Sequence, residues 1–227
     1  MKRIAIITLM CVLGTAPIQA GMIAQQEHDF QANNNGHADT LGTGTWHYMY
    51  SDTMNPTLGT TGLLVWNSGN QQYDVDGSGD WYPDVKIYQV DGLLTMAPEV
   101  SGAAGTRYGV MRWTSGVSGS INVSGTWTHF WPDRQSDGMD VAIYGDGVQK
   151  FHTLLTAKDS VDFDFTLNVS PGSVVDYVVG PGAANVGDFD RAYIETTITP
   201  VPGAALLGML GLSAAGVRLR KRARPAR

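Results

Sequence analysis

The chain has 227 residues, with 28 Gly, 10 Pro, one Cys and a formal net charge of −6. Two of its 15 basic residues lie in the first 20 positions and six in the last ten, so residues 21–200 hold seven bases against all 21 acids, a net of −14. That balance argues against a DNA or RNA partner, whose phosphates must be neutralised, and the Gly and Pro content excludes a helical bundle.

Residues 1–20 read as a secretory signal peptide. Lys2 and Arg3 precede an apolar run from Ile4 to Gly14, and Ala20 puts a small residue before Gly21. The one cysteine, Cys11, lies inside this segment, so the mature chain is expected to have no disulfide and no thiolate zinc site. Residues 21–43, rich in Asn, Gly and Gln, form either an N-terminal arm or a first strand.

From residue 44 to residue 199 the pattern is that of strands. Candidates in chain order are Thr45–Ser51, Gly62–Trp66, Val85–Val90, Leu93–Met96 and Arg107–Thr114. Ile121, Val123, Gly125 and Trp127 share a face of the next one. Asp140–Tyr144 and Val148–Leu154 flank Gly145-Asp146-Gly147, a hairpin signal. Val161–Val169 alternates five apolar with four polar residues, as in a half-buried antiparallel strand. Pro171-Gly172 makes the turn into Ser173–Val179, and Ala192, Ile194, Thr196 and Ile198 mark the last strand. About ten short strands between Gly, Pro, Asn and Asp turns predict an all-β antiparallel sandwich of jelly-roll type. No helix of three turns and no fixed-period repeat is expected within it.

Three kinds of site are weighed on this framework. Aromatic rings can stack on the C–H faces of sugars while polar side chains fix the hydroxyls. Trp46 and Tyr48 share a strand face with Tyr50, and the alternative is that they fill the core. Trp131 precedes the polar run Pro132–Asp137, and Trp81 and Tyr82 adjoin an Asp/Gly stretch, so these are ligand-binding candidates. Asp74, Asp76 and Asp80 alternate along a Gly-rich stretch with Asp84 four residues on, offering oxygen ligands to a structural calcium ion. The alternative is a solvated turn. The stretch lacks the EF-hand pattern, because Ser78 and Val85 occupy its fifth and twelfth positions. For catalysis no constellation stands out. The five histidines lack ligand spacing, Gly116-Val117-Ser118-Gly119 lacks the second spacer of a nucleophile elbow, and among 21 acids some carboxylate pair arises by chance. A non-enzyme is expected.

Residues 200–227 carry a tripartite tail: Pro200-Val201-Pro202, an apolar stretch at 204–217, and a basic cluster at 218–227 that includes Arg218, Arg220, Lys221 and Arg222. The basic end would stay on the cytoplasmic side of a membrane. This order resembles the PEP-CTERM sorting signal of Gram-negative bacteria, with Val201 where Glu is usual. The resemblance implies a membrane segment, expected to be helical, that anchors the exported protein in the inner membrane until an exosortase-type protease removes it. The protein would then pass to the cell surface or beyond.

The body carries a second resemblance. His28-Asp29-Phe30, Gly44–Tyr48, Trp81-Tyr82-Pro83, Val110–Thr114, Gly119–Thr126 and Val174–Pro181 occur in an order similar to that of a secreted bacterial domain akin to jelly-roll carbohydrate-binding modules. Met96-Ala97-Pro98-Glu99 stands where that group often has His-Pro-Gly, so no histidine role carries over. Together the readings imply an exported, non-catalytic surface or matrix protein that binds polysaccharide, exopolysaccharide among the partners. The competing expectations are a structural or adhesive envelope protein without a defined ligand and, third, a glycan-active enzyme.

Overall fold

The computed structural model describes residues 22–30, 34–39, 42–78, 85–101, 105–130, 138–156, 159–182 and 191–201. In chain order these form β1 (Ala24–Gln25), the four-residue helix α1 (Gln26–Asp29), β2 (His37–Ala38), β3 (Gly44–Ser51), β4 (Thr61–Leu63), β5 (Val65–Asn67) and β6 (Gln72–Asp74). There follow β7 (Lys86–Val90), β8 (Leu93–Ala97), β9 (Glu99–Ser101), β10 (Gly105–Ser115), β11 (Gly119–His129) and β12 (Met139–Gly145). The last are β13 (Val148–Leu155), β14 (Ser160–Val169), β15 (Val174–Pro181) and β16 (Ala192–Pro200). No helix among the described residues is long and apolar enough to cross a membrane.

The strands make two antiparallel sheets. One runs β14-β11-β16-β8-β7-β6-β5, with β1 also on β16. The other runs β13-β12-β15-β10-β3-β2, with β4 on β3 and β9 on β10. The expected all-β, two-layer body is therefore present. Turn chemistry fixes much of the register. Asp91-Gly92 and Asp146-Gly147 both hold positive φ at two successive residues, at 53° and 85° and at 49° and 77°. That is the type I′ geometry that matches strand twist in a two-residue hairpin. Pro171-Gly172 closes with a Ser173 N–H donated to the Ser170 carbonyl at 2.9 Å.

The core lies between the layers. Trp46, Tyr48, Met111, Trp113, Val141, Ile143 and Tyr177 meet Ile87, Leu94, Ile121, Val123, Trp127, Leu167 and Ile194 from the facing sheet, all buried. Each such side chain taken out of water contributes about 1.5–3 kcal/mol. The alternation of β14 is as expected: Phe163, Leu167 and Val169 are buried while Asp162, Asp164, Thr166 and Asn168 are exposed.

Three local expectations are corrected or completed. Gly62–Trp66 is not one strand, because the chain leaves one sheet as β4 and enters the other as β5. Leu64, buried between the layers, marks the crossing and donates its N–H to the Tyr48 carbonyl at 2.9 Å. Asp74 is not a loop residue but ends β6. The N-terminal arm joins both sheets, through Ala24–Gln25 on β16 and His37–Ala38 on β3.

Candidate functional site

Trp46 and Tyr48 lie fully inside the core, so their rings present no face to a ligand, and the core alternative describes them. The Trp46 indole N–H donates to Asp29 Oδ2 at 3.0 Å, and the Tyr48 hydroxyl accepts from Gln26 Nε2 at 2.7 Å. Trp81, Tyr82 and Trp131 lie outside the described residues, as do Asp80 and Asp84. So do the segment 1–20, Pro202 and the tail residues Arg218, Arg220, Lys221 and Arg222. Pro200 ends β16, and Val201 donates its N–H to the Ser120 carbonyl at 2.8 Å.

Of the proposed calcium ligands, Asp74 is buried. Its carboxylate accepts from Gln72 Nε2 at 3.2 Å and from the Gly77 N–H, capping its own turn. Asp76 is exposed and accepts the Ser78 N–H at 2.8 Å, and the Ser78 hydrogen bonds hold its carboxyl below the usual range. Among the described residues no group of three or more His, Cys, Asp or Glu is placed to hold a metal ion.

A site does form where the inner face of the first sheet runs past the core. Trp66 pairs with Tyr73, Tyr73 with Ile87, and Ile87 with Met96, so these four make one inward row ending at the sheet edge. Ile87 and Met96 are sealed in the core, while Trp66 is half-buried. A cleft of about 390 Å³ opens there, lined by Phe30, Trp66, Ser68, Gln71 and Gln89. Its floor is aromatic. The Trp66 ring lies 5.0 Å from Tyr73 at 62°, and Phe30 lies 6.0 Å from Tyr73 at 83° and 6.5 Å from Trp66. Tyr48 supports Phe30 and Tyr73 from behind, at 5.4 and 4.6 Å.

The rim is built by local chemistry. Asn67 accepts the Asn70 N–H on its Oδ1 at 2.9 Å and donates its Nδ2 to the Gly77 carbonyl at 2.6 Å, tying the β5–β6 turn to the turn after β6. Gln71 closes the β5–β6 turn at φ 52°, a left-handed conformation seldom taken by a residue with a side chain and found most often where a local structure is over-determined. Gln89 lies two residues beyond Ile87 on the inner side of β7, exposed, with its Nε2 at 3.4 Å from the Gly92 carbonyl. Phe30 comes from the arm. It is placed by Asp29 on one side and by Asn34 and Asn35 on the other: the Asn34 N–H donates to the Tyr73 hydroxyl at 2.8 Å, and Asn35 Nδ2 reaches the Tyr48 and Leu64 carbonyls at 2.8 and 2.9 Å. Burial raises the Tyr73 hydroxyl above its ordinary value, so it stays protonated while accepting that bond.

None of the five lining side chains ionises. The cleft can stack a flat apolar face on Trp66 and Phe30 and hydrogen-bond hydroxyls through two amides and a serine. Among the described residues the ion pairs lie elsewhere. Arg112 Nε and Nη2 donate to buried Asp176 at 2.6 and 2.9 Å, and Arg107 Nη1 donates to Glu99 at 2.9 Å. Burial raises the Asp176 carboxyl more than Arg112 lowers it. Sequence reasoning did not single out Trp66, Ser68, Gln71 or Gln89. One signal was there: Trp66 stands before Asn67-Ser68-Gly69-Asn70, an aromatic beside a polar turn, the same criterion that singled out Trp131.

No family model and no curated protein matches the chain. Several solved structures do. The CBM22-1 xylan-binding domain of Xyn10C from Paenibacillus barcinonensis is 15% identical over 53% of this chain and 82% of its own, with a TM-score of 0.34. A family 35 carbohydrate-binding module from Clostridium thermocellum is 14% identical over 50% and 95%, with a TM-score of 0.27. A CBM29-2 mutant complexed with cellulohexaose is 15% identical over 69% and 91%, with a TM-score of 0.26. Likenesses this distant carry no argument about ligand or mechanism, which rest on the cleft itself.

Proposed function

We propose that this chain is an exported, non-catalytic sandwich of jelly-roll type that binds polysaccharide in the Phe30/Trp66 cleft. The observation that carries the reading is the half-buried Trp66 ring at an open cleft whose other described lining groups are Phe30, two amides and a hydroxyl. Ring stacking supplies affinity and the amides orient the hydroxyls. Retardation of the full chain in native gels cast with soluble polysaccharides tests this, with Trp66→Ala as the paired variant. Equal mobility with and without every polysaccharide removes the reading.

A structural or adhesive envelope protein without a defined ligand is the second reading. The burial of Trp46, Trp113 and Trp127, three of the six tryptophans, favours it, because those rings serve packing.

The sorting reading rests on residues 1–20 and 200–227 of the sequence. It has the exported chain held in the inner membrane by residues 204–217 and released by an exosortase-type protease. A C-terminal tag should vanish from the mature protein in cells that have the protease and stay in the membrane fraction without it. Full-length protein in the cytosol would remove this reading. A structural calcium ion belongs to the proposal through Asp76, exposed and near Asp80 and Asp84 in sequence. A chelator should then lower the melting midpoint, and an unchanged midpoint removes the ion.

A further inference from the structure

The charge of the cleft is at odds with the charge of the body around it. Residues 21–200 carry a net of −14, yet among the described residues the cleft is lined by the uncharged Phe30, Trp66, Ser68, Gln71 and Gln89. We propose that the cleft takes an uncharged glycan chain and rejects polyuronates and other polyanions; this deepens, and rests on, the polysaccharide reading above.

Two physical arguments lead there. The first is desolvation. A carboxylate or sulfate brought against Trp66 and Phe30 would lose hydration, and such a loss is offset only by a cation or a set of hydrogen bonds aimed at the charge. Of the described cations, Arg107 is engaged by Glu99 and Arg112 by Asp176, while Arg191 donates to the Tyr88 hydroxyl at 2.9 Å. Lys86 is buried and Lys150 stands on β13 of the other sheet. Among the described residues no cation lines the cleft. The second argument is the field of the body, which is repulsive to polyanions before contact.

Uncharged sugars meet neither obstacle. A hydroxyl is both donor and acceptor, and so is each primary amide, so Gln71 and Gln89 can answer either role without a fixed protonation state. Binding of this kind has no ion pair to screen and should be indifferent to salt.

The test uses the full chain in native gels cast with a neutral glycan (mixed-linkage β-glucan, xylan or galactomannan) or a polyanion (alginate or polygalacturonate), at low and high salt. Trp66→Ala and Gln89→Ala serve as variants, each checked by melting midpoint. The expected result is retardation by at least one neutral glycan, unchanged by salt, weakened more than about tenfold by Trp66→Ala and measurably by Gln89→Ala. Retardation by a polyanion that Trp66→Ala abolishes overturns the charge argument and leaves the polysaccharide reading standing. Neutral-glycan retardation that survives Trp66→Ala in a folded variant overturns the cleft. Retardation by no glycan of either kind overturns the polysaccharide reading and this inference together.

Discussion

The buried carboxylate of Asp39 accepts the indole N–H of Trp113 at 3.0 Å, joining the N-terminal arm to β10 across 74 positions of sequence. Asp29 does the same for Trp46 of β3. The two tryptophans are cross-strand partners, so the two acids of the arm close over a pair of adjacent indoles. Each of these two rings is sealed in the core with its one polar atom on an acceptor.

Removing either acid leaves a buried indole N–H without a partner, which costs about 1–3 kcal/mol. Asp39 also accepts from the Thr43 N–H at 2.8 Å, so Asp39→Ala should fall at the upper end of that range in urea unfolding. Asp29→Ala should do more than destabilise. Its neighbour Phe30 is a wall of the cleft, so the variant should weaken polysaccharide retardation, whereas Asp39→Ala at matched stability should leave it nearly intact. Equal binding losses in both would mean that Asp29 has no specific part in placing Phe30.

Arg112 and Asp176 make the most committed ion pair among the described residues, two parallel bonds with the carboxylate fully buried. Truncating one partner strands a buried charge, at about 3–5 kcal/mol, whereas replacing both with apolar residues of similar volume is often nearly neutral. Arg112→Met, which strands the fully buried Asp176 carboxylate, should therefore destabilise strongly in urea unfolding and Arg112→Met/Asp176→Leu much less. If the double variant is as damaged as the single, the pair contributes net stability beyond its own compensation.

Much of this fold was legible because sheet periodicity is short-range. The alternation of Val161–Val169 and the Asp146-Gly147 hairpin are set by neighbouring residues, and both stand where the sequence put them. The cleft was less legible. Whether a ring reaches solvent depends on what the facing sheet covers: Trp46 is sealed among buried residues of both layers, whereas Trp66 is half-buried on the edge strand β5. Phe30 is joined to Trp66 through an arm whose strands are two residues long, too short to carry a pattern.

Stability should fall as the solution is acidified below neutrality. Burial holds His37, His47 and His129 below the ordinary histidine value; Arg112 and His37 push His47 further down, while Asp29 and Asp159 pull His37 and His129 partly back. A histidine depressed in the folded state binds its proton more readily when unfolded. Its contribution is present above the unfolded value near 6.5 and is lost as pH falls through the folded one. Asp176 has the opposite sign, since its carboxyl is raised. The melting midpoint should drop between about pH 7.5 and about pH 5.5, and a variant with Gln at all three histidines should flatten that slope. An unchanged slope in the triple variant would place the sensitivity elsewhere.

Gly125 sits in the middle of β11, and the absence of its side chain is what lets Phe163 lie across the strand pair. The two residues are directly opposed in register. A Cβ at Gly125 would stand 2.7 Å from the Phe163 ring and 2.0 Å from the Glu195 carbonyl oxygen on the other flank. Phe163 cannot easily retreat, because its ring packs 5.7 Å from Phe151 and 6.2 Å from Tyr177. Gly125→Ala should destabilise by about 1–3 kcal/mol through overpacking. Shortening the opposing ring, as Gly125→Ala/Phe163→Leu, relieves one of the two contacts but not the carbonyl on β16. The double variant should regain only part of the loss in a double-mutant cycle, with a coupling energy above about 0.5 kcal/mol. Strict additivity of the two substitutions would mean that the strand yields at β16 and that the ring contact is incidental.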